Sequence, residues 1–386
     1  MQNGLQRQLE IFRQGLIGQR ETFPISPDAL EEAARAVLRP EAYDYVAGGA
    51  GSESTVRANR DAFERYRLIP RVLRDVSERD LRIELFGRCY PAPVLIGPVG
   101  VQKIIHSDGE LAVARAAAAL GVPFILSTVS SYPMEQVAQA AGDAPRWFQL
   151  YWSRDPDVAA SFVRRAEAAG YQAIVITVDT CLLAWRDRDL SHAYLPFMQG
   201  EGLANYFTDA AFRAALAQPP EQDPGAAILH FAQIFGNPAL TWDDLGFIRQ
   251  HTRLPILLKG ILHPDDAREA LRRGVDGIIV SNHGGRQVDG AIAALDALPG
   301  VVEAVDGRVP VLFDGGIRRA ADVLKALALG AAAVLLGRPV MWALAIGGAD
   351  GVQTYLRNFL AELDLSLGLL GCCSVKEVPQ AMLIER

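Results

Sequence analysis

The sequence predicts a closed barrel of parallel β-strands alternating with helices, and three observations carry this prediction. Short apolar runs recur along the chain, as expected for strands buried on both faces of a parallel sheet. Most of them are separated by stretches rich in Ala, Arg and Glu with helical periodicity, and these stretches end in Gly, a common helix terminator. Eight strand–helix alternations favour a (β/α)8 barrel, an α/β fold, over an open doubly wound sheet, which is the structural alternative. No GxGxxG follows the first strand, which weakens a dinucleotide-binding version of the open sheet.

The predicted strands are the apolar runs themselves. In chain order they are PVLIGP (93–98), PFILS (123–127), WFQLYW (147–152), AIVITVD (173–179), PILLK (255–259), GIIVSN (277–282), PVLFD (310–314) and AAVLLG (332–337).

Two regions lie outside the strand–helix rhythm. Residues 1–90 are predicted to be an N-terminal helical segment that packs on the barrel formed by residues 91–386. Within it, Ser26-Pro27-Asp28 is typical of a capped helix start, and we expect that helix to run to about Leu38, followed by a second helical piece over 41–46. An insertion over about 188–245, after the fourth strand, is a candidate lid over the active site.

Composition excludes several classes of function. The chain of 386 residues has a net charge of -7 and no basic block, which argues against binding to nucleic acid or an anionic membrane. Its four cysteines form no CxxC pair, which indicates a reduced, cytoplasmic protein without a zinc or other metal site. The N-terminus lacks a signal-peptide core, and the apolar stretch over 331–346 is too short and too interrupted to span a bilayer.

Polar side chains cluster where the predicted strands end, and in barrels of this kind the active site lies at those ends. They are Gln149, Tyr151, Thr177, Asp179, Lys259, Ser281, His283, Asp314 and Arg338. The most specific segment is SNHGGRQVD, in which a histidine and Arg286 suit a substrate with an abstractable proton and a carboxylate. The alternative interpretation is a loop histidine beside a solvated arginine.

The last two strands are followed by candidate phosphate-binding segments, DGGIR (314–318) and Gly337-Arg338. Glycine amides and arginines at this end of strands seven and eight are the usual phosphate site of such barrels, although glycines also simply end strands. Lys259 ends an apolar strand, a costly place for a charge. A cofactor that becomes anionic would compensate that cost, and so would pairing with a nearby carboxylate.

Four segments, YDYVAGGAGSE, SNHGGRQVD, FDGGIRR and GRPV, resemble the FMN-dependent enzymes that oxidise L-2-hydroxy acids. The resemblance extends over about residues 25–378 and implies FMN as the cofactor, a small 2-hydroxy acid and O2 as reactants, and a homotetramer or homo-octamer. Within that family the chain is most similar to lactate 2-monooxygenases. This narrower likeness rests on Pro98-Val99-Gly100, on LAWRDRDL (183–190) and on two stretches of the insertion, GEGLANYFTDAAF and NPALTWDDL.

The resemblance also implies residue roles. His283 would take a proton from the substrate, with Asp179 behind it and Tyr151 hydrogen-bonding the substrate. Arg186 and Arg286 would bind the substrate carboxylate together with Tyr45 and Tyr151. The flavin would be held by Pro98, Val99, Gly100, Ser127, Gln149, Thr177, Lys259, Ser281, Asp314, Gly315, Gly316, Arg318, Gly337 and Arg338.

The chain departs from the family pattern at three positions. Val129 replaces a tryptophan of glycolate oxidases, which disfavours glycolate as substrate, while Cys181 and Ala184 replace a proline and a glycine near Arg186. The expected activity is therefore that of a lactate 2-monooxygenase, which converts lactate and O2 to acetate, CO2 and water. The alternative is an oxidase that releases the 2-oxo acid and H2O2. A non-catalytic FMN-binding scaffold and an FMN-dependent isomerase would have no use for the histidine and the arginine pair.

Overall fold

A computed structural model of the chain describes residues 4–19 and 21–385. Residues 1–3 of the predicted N-terminal segment, Arg20 and Arg386 therefore lie outside the description. The β-strands are β1 Tyr66–Leu68, β2 Ile83–Leu85, β3 Arg88–Tyr90, β4 Val94–Ile96, β5 Phe124–Ser127, β6 Arg146–Leu150, β7 Ile174–Thr177, β8 Ile256–Ile261, β9 Gly277–Val280, β10 Val311–Phe313, β11 Ala333–Leu336 and β12 Leu383–Glu385.

The helices of the described residues alternate with these strands. They are α1 Gly4–Leu16, α2 Pro27–Val37, α3 Pro40–Ala47, α4 Ser54–Glu64, α5 Gly109–Leu120, α6 Met134–Ala141, α7 Pro156–Ala168, α8 Asp187–Ser191, α9 Ala204–Phe207, α10 Ala210–Ala214, α11 Pro224–Ile234, α12 Leu245–His251, α13 Pro264–Arg272, α14 Ala294–Val305, α15 Ala320–Ala328 and α16 Arg338–Leu369.

Strands β4 to β11 form a closed parallel barrel, which confirms the predicted fold. Its order is β10-β11-β4-β5-β6-β7-β8-β9, so that pairing of β11 with β4 and of β9 with β10 closes the sheet and rules out the open alternative. Each predicted apolar run overlaps one of these strands, although β6 begins one residue before its run and β8 ends two residues after its run. The strands are almost entirely buried. The register places Ser127 beside Gln149 and Thr177 beside Lys259, so neighbouring strands present their polar residues at one level.

Helix boundaries follow local chemistry. Helix α2 begins as expected, because the Ser26 side chain accepts a hydrogen bond from the amide of Ala29 and Pro27 occupies the first turn. Helix α5 ends at Gly121, which has the left-handed conformation predicted for a terminating glycine. These boundaries fix the direction in which each helix returns to the bottom of the barrel.

The stretch before the barrel contains helices α1–α4 and also the short strands β1, β2 and β3, which the sequence analysis did not predict. Strand β1 pairs with the C-terminal strand β12, and β2 pairs with β3. Helix α3 carries Tyr45, which lines the central cavity of the barrel. The N-terminal stretch thus contributes a residue to the site as well as packing.

The chain between β7 and β8 holds helices α8 to α12 and has an aromatic core of its own. Tyr206 lies 4.8 Å from the ring of Phe162 in α7 and 4.9 Å from the ring of Phe231 in α11, measured between centroids. Asn205 joins this insertion to the barrel, since its side chain accepts from the amide of Met134 and donates to the carbonyl of Thr128. The insertion is therefore packed firmly against α7 and the loop after β5.

Across residues 4–19 and 21–385, no helix has the length and apolarity needed to cross a membrane. The same residues contain no group of three His, Cys, Asp or Glu side chains placed to hold a metal ion.

Candidate active site

The carboxyl ends of the barrel strands surround a central cavity, and most of the predicted site residues line it. Its walls include Tyr45, Pro98, Val99, Gly100, Val129, Tyr151, Arg186, Lys259, His283, Arg286, Asp314, Gly315, Gly316, Arg318, Gly337 and Arg338. Five predicted residues, Ser127, Gln149, Thr177, Asp179 and Ser281, are not among the side chains that line the cavity. All five lie at strand ends, and all except the half-buried Asp179 are buried. The structure thus brings the strand-end residues together, as expected for this fold.

His283 and Asp179 form a buried pair. The imidazole Nδ1 lies 2.9 Å from Asp179 Oδ1, and the opposite nitrogen, Nε2, lies 3.3 Å from the hydroxyl of Tyr151. Burial lowers the pKa of His283 below its usual 6.5 despite the opposing charge of Asp179. Burial acts to raise the pKa of Asp179, but its contact with His283, the nearby Lys259 and the hydrogen bond from Thr180 together leave this pKa below the usual 3.8. The pair therefore combines a neutral imidazole with a carboxylate, as a base and its orienting partner require.

The backbone at His283 is left-handed, with φ of 58°, an uncommon conformation for a residue other than glycine. Neighbouring side chains hold it there. Ser281 Oγ accepts from the His283 amide at 2.9 Å, and Asn282 Oδ1 accepts from the amide of Gly285 at 3.1 Å. Asn282 also exchanges two 2.8 Å hydrogen bonds with Asn59 of α4. The N-terminal stretch thus fixes the loop that aims the imidazole.

Two tyrosines face the same cavity and remain protonated. Burial raises the pKa of Tyr151 well above its usual value of 10.0, and burial also raises that of Tyr45. A protonated phenol can donate a hydrogen bond to a carboxylate or a hydroxyl oxygen. The alternative of simple core packing does not account for Tyr151, whose hydroxyl approaches His283.

Arg186 and Arg286 lie close together; Arg186 is buried and Arg286 is half-buried. Arg186 donates through Nε to the carbonyl of Arg286 at 3.2 Å and through Nη2 to Gln287 at 3.3 Å. Arg286 donates through Nη1 to the carbonyls of Tyr45 at 2.6 Å and Gly48 at 2.9 Å. Burial and the neighbouring Arg186 lower the pKa of Arg286 to about 10. Asp189 lies 3.6 Å from Arg186 and balances part of this positive charge. The two adjacent cations still favour an anionic ligand between them, and neither is fully exposed, so the alternative of a solvated arginine does not apply.

Lys259 is buried beneath the cavity and pairs with a carboxylate. Its Nζ donates to Ser281 Oγ at 2.8 Å and lies 3.1 Å from Asp314 Oδ2. The alternative that the sequence left open, a lysine compensated by a nearby acid, is thus realised. It does not exclude a role towards a cofactor, because the second carboxylate oxygen of Asp314, Oδ1, is buried without a partner among the described residues. The lysine also lines the cavity.

The segment after β10 and the start of α16 form the predicted phosphate end. Gly316 has φ of 88°, and a side chain there would meet the carbonyl oxygen of Asn59 at 2.5 Å. Arg338 donates to the carbonyls of Val46, Gly284 and Gly48, and burial lowers its pKa to about 9 with help from two neighbouring arginines. Burial also lowers the pKa of Arg318. A bound phosphate would relieve this concentration of positive charge.

Two of the remaining predicted cofactor residues, Ser127 and Gln149, are joined by a hydrogen bond. Ser127 Oγ donates to Gln149 Oε1 at 3.0 Å, while Gln149 Nε2 is buried without a partner in the described part of the chain. Such an orphaned donor is costly unless a ligand satisfies it. Gly100 packs on Val129, because a Cβ at position 100 would lie 2.5 Å from Val129 Cγ2. Close packing against Val129 is therefore sufficient to explain why position 100 is a glycine.

Sequence reasoning missed two residues that hold this site together. Thr180 contacts both Asp179 and His283, and Gln287 donates to the carbonyl of Asp179 at 2.6 Å while accepting from Arg186. Both directly follow residues that the motifs identified, Thr180 after Asp179 and Gln287 after Arg286. That adjacency is the only signal the sequence offered.

Comparisons with known proteins match nearly the whole chain. A family model described as FMN-dependent dehydrogenase matches residues 34–385. An L-lactate oxidase of Lysinibacillus sphaericus is 46% identical over 363 residues, covering 94% of this chain and 93% of the relative. A 4-hydroxymandelate oxidase of Amycolatopsis orientalis is 48% identical over 347 residues, covering 90% and 94% of the two chains. A crystal structure of mandelate oxidase matches with a TM-score of 0.83 and 44% identity over 94% of this chain and 98% of that chain.

Proposed function

The chain belongs to the FMN-dependent dehydrogenase family and carries out FMN-dependent 2-hydroxy acid oxidation, and we propose that its substrate is a small L-2-hydroxy acid of the size of lactate. We further propose that it acts as an oxidase, which converts the hydroxy acid and O2 to the 2-oxo acid and H2O2. One observation carries this proposal: His283, which Asp179 contacts from behind, lines a single cavity together with Arg186 and Arg286. A scaffold or an isomerase would need neither.

The cavity suits FMN on grounds of its own chemistry. Among the described residues, the donor Gln149 Nε2 and the acceptor Asp314 Oδ1 are buried without a partner, and the half-buried Arg318 and Arg338 lie near each other at the phosphate end. We assign the flavin contacts to Pro98, Val99, Gly100, Ser127, Gln149, Thr177, Lys259, Ser281, Asp314, Gly315, Gly316, Arg318, Gly337 and Arg338. When bound, FMN accepts the two electrons that the substrate loses. Lys259 supplies a positive charge that stabilises negative charge developing nearby.

The residues that face the substrate have two roles: Arg186 and Arg286 form an arginine clamp for its carboxylate, and His283 acts as the base. Arg186 and Arg286 hold the carboxylate, which they can do because guanidinium groups match carboxylate geometry. Tyr45 and Tyr151 donate hydrogen bonds to the substrate oxygens. His283 then receives a proton at Nε2, and Asp179 stabilises the imidazolium that results through its contact with Nδ1. The anchored carboxylate fixes the distance between the reacting carbon and the imidazole.

The size of the substrate follows from the apolar wall of the cavity. Phe197 and Phe235 come from the insertion, and their ring centroids lie 5.6 Å apart. The ring of Phe235 lies 5.4 Å from that of Tyr151, so aromatic side chains occupy the space above the tyrosine. This packing favours a short apolar substituent such as the methyl group of lactate over a large ring.

A lactate 2-monooxygenase is the second candidate, and the insertion is the observation that favours it. Phe197 and Phe235 of the insertion line the cavity, and an insertion that closes tightly would retain pyruvate long enough for peroxide to decarboxylate it to acetate, CO2 and water. The other mark of this activity in the sequence, Gly100, also has the packing explanation given above. We therefore place the oxidase first.

A product assay separates the two. The purified FMN-loaded enzyme is supplied with L-lactate in air, and pyruvate, acetate and H2O2 are quantified together. We expect pyruvate and H2O2 in equal amounts. Acetate with little free H2O2 would instead assign the monooxygenase, and no turnover of any short L-2-hydroxy acid would overturn the proposed substrate class.

Replacement of Gly100 tests whether that glycine decides the fate of the product. Gly100→Ala alone would press on Val129, so it is combined with Val129→Ala and compared with Val129→Ala alone. We expect the same ratio of pyruvate to acetate in both proteins. A shift in that ratio between the two would show that the residue at position 100 controls product release.

The pH dependence of the reaction should report the state of His283. Because burial lowers its pKa below 6.5 and only the neutral imidazole can accept a proton, kcat/KM should be level near neutral pH and fall below pH 6.5. The measurement is kcat/KM for L-lactate as a function of pH. A decline that begins above pH 6.5, or a rise on acidification, would contradict the proposed role.

A further inference from the structure

Thr180 follows Asp179 at the end of β7, and its side chain contacts both members of the His283–Asp179 pair. Its Oγ1 lies 2.9 Å from Asp179 Oδ1 and 3.2 Å from His283 Nδ1. The residue is buried, with 7% of its surface exposed, and it lines the cavity beside His283. Three polar atoms therefore meet in one small triangle behind the imidazole.

The chemistry of a threonine hydroxyl determines which of these three atoms donate hydrogen bonds and which accept them. An ionised carboxylate only accepts, so the hydroxyl donates its single hydrogen to Asp179 Oδ1. The lone pairs of the hydroxyl then face His283 Nδ1. Because Nδ1 faces only acceptors, it can form hydrogen bonds there only as a donor, so it carries the proton of the neutral ring. With Nδ1 protonated, Nε2 keeps its lone pair on the side of Tyr151 and the cavity.

The Asp179 carboxylate has few other restraints. Its second oxygen, Oδ2, is buried without a hydrogen-bond partner among the described residues. On that side the carboxylate lies against Gly260, where a Cβ would lie 2.9 Å from Oδ2. Thr180 is thus the one side chain besides His283 to which the structure gives a hydrogen bond with this carboxylate.

We propose that Thr180 is a positioning residue: its hydroxyl orients Asp179 and so keeps His283 in the tautomer with an unprotonated Nε2. This inference rests on the proposed function, in which His283 accepts a proton from the substrate. Thr180 itself touches neither the substrate nor the reacting atoms in this scheme. It acts through the two residues behind the base, as outer contacts commonly do in preorganised sites.

The test uses Thr180→Val, which keeps the branched shape and removes the hydroxyl, and Thr180→Ser, which keeps the hydroxyl. In the FMN-loaded enzyme we expect the valine variant to lower kcat and the anaerobic rate of flavin reduction by L-lactate by about tenfold, as for loss of one hydrogen bond to a charged partner. KM and FMN content should be unchanged, because the arginine clamp and the flavin contacts are untouched. The serine variant should restore the rate to within about twofold.

Two controls keep the outcomes apart. Thr252→Val removes another buried hydroxyl that donates to a carboxylate, Glu167 at 2.6 Å, but lies before β8 at the opposite end of the barrel, and it should leave kcat unchanged. His283→Asn tests the proposed function itself. An inactive asparagine variant beside a fully active Thr180→Val would overturn only the positioning role. An active asparagine variant would overturn the proposed function as well.

Discussion

Replacement of His283 by asparagine is expected to lower kcat for L-lactate by about 10³-fold, within the range that a positioned acid–base group contributes. The imidazole Nε2 faces the cavity while Nδ1 contacts Asp179, so its removal leaves no group in the same place to accept the proton. Asparagine is chosen because it tolerates the left-handed backbone, with φ of 58°, better than alanine does. The rate of flavin bleaching in the absence of O2 measures the effect directly.

The matched control is His251→Ala. His251 ends α12 and packs edge-on against Phe247 with ring centroids 4.6 Å apart, on the side of the barrel where β8 begins. It should bleach its flavin at the wild-type rate. If His283→Asn bound FMN normally and kept its rate to within about tenfold, the assignment of His283 as base would have to be abandoned.

The sequence was sufficient to predict the barrel because its strands are buried on both faces. Burial of that kind demands continuous apolar runs, and the polar residues that follow them stand out by contrast. His283, Asp179 and Lys259 were identified in this way, and the structure places all three around one cavity or directly behind it.

Other features left no readable pattern in the sequence. The pairing of β1 with β12 joins segments from the two ends of the chain, and each strand is only three residues long. The partners of Arg338 and Arg286 are largely backbone carbonyls, which every residue carries, so no residue type marks them. Asn59 and Asn282 recognise each other across a sequence separation of 223 residues. Such contacts depend on the fold and not on local composition.

The second large effect is expected when the arginine clamp formed by Arg186 and Arg286 is altered. Arg186→Lys is expected to raise KM for L-lactate by about 100-fold, since charged hydrogen bonds contribute roughly 1.5–3 kcal/mol each and a lysine cannot reproduce the planar fork. Arg186 already donates through Nε to the carbonyl of Arg286 and through Nη2 to the side chain of Gln287. A lysine in its place would have to choose between these protein partners and the substrate carboxylate.

Comparison of L-lactate with L-lactamide isolates the contribution of the substrate carboxylate to binding. The wild-type enzyme should prefer the acid strongly, because the amide carries no charge for the two adjacent arginines to stabilise, and Arg186→Lys should reduce that preference. Arg213→Lys provides the control, since Arg213 lies in the same insertion but pairs with Glu221 at the surface. Its KM should stay at the wild-type value.

If Arg186→Lys had no such effect, Arg286 would be assigned as the residue that binds the substrate carboxylate. Arg286 donates to protein only through Nη1 in the described part of the chain, and its guanidinium lies 5.2 Å from the ring centroid of Tyr45. Its remaining donors are therefore better placed to bind an anion than those of Arg186. If Arg186→Lys changed neither KM nor the preference for the acid, Arg286 would bind the carboxylate alone, and Arg186 would serve to orient the loop that carries it.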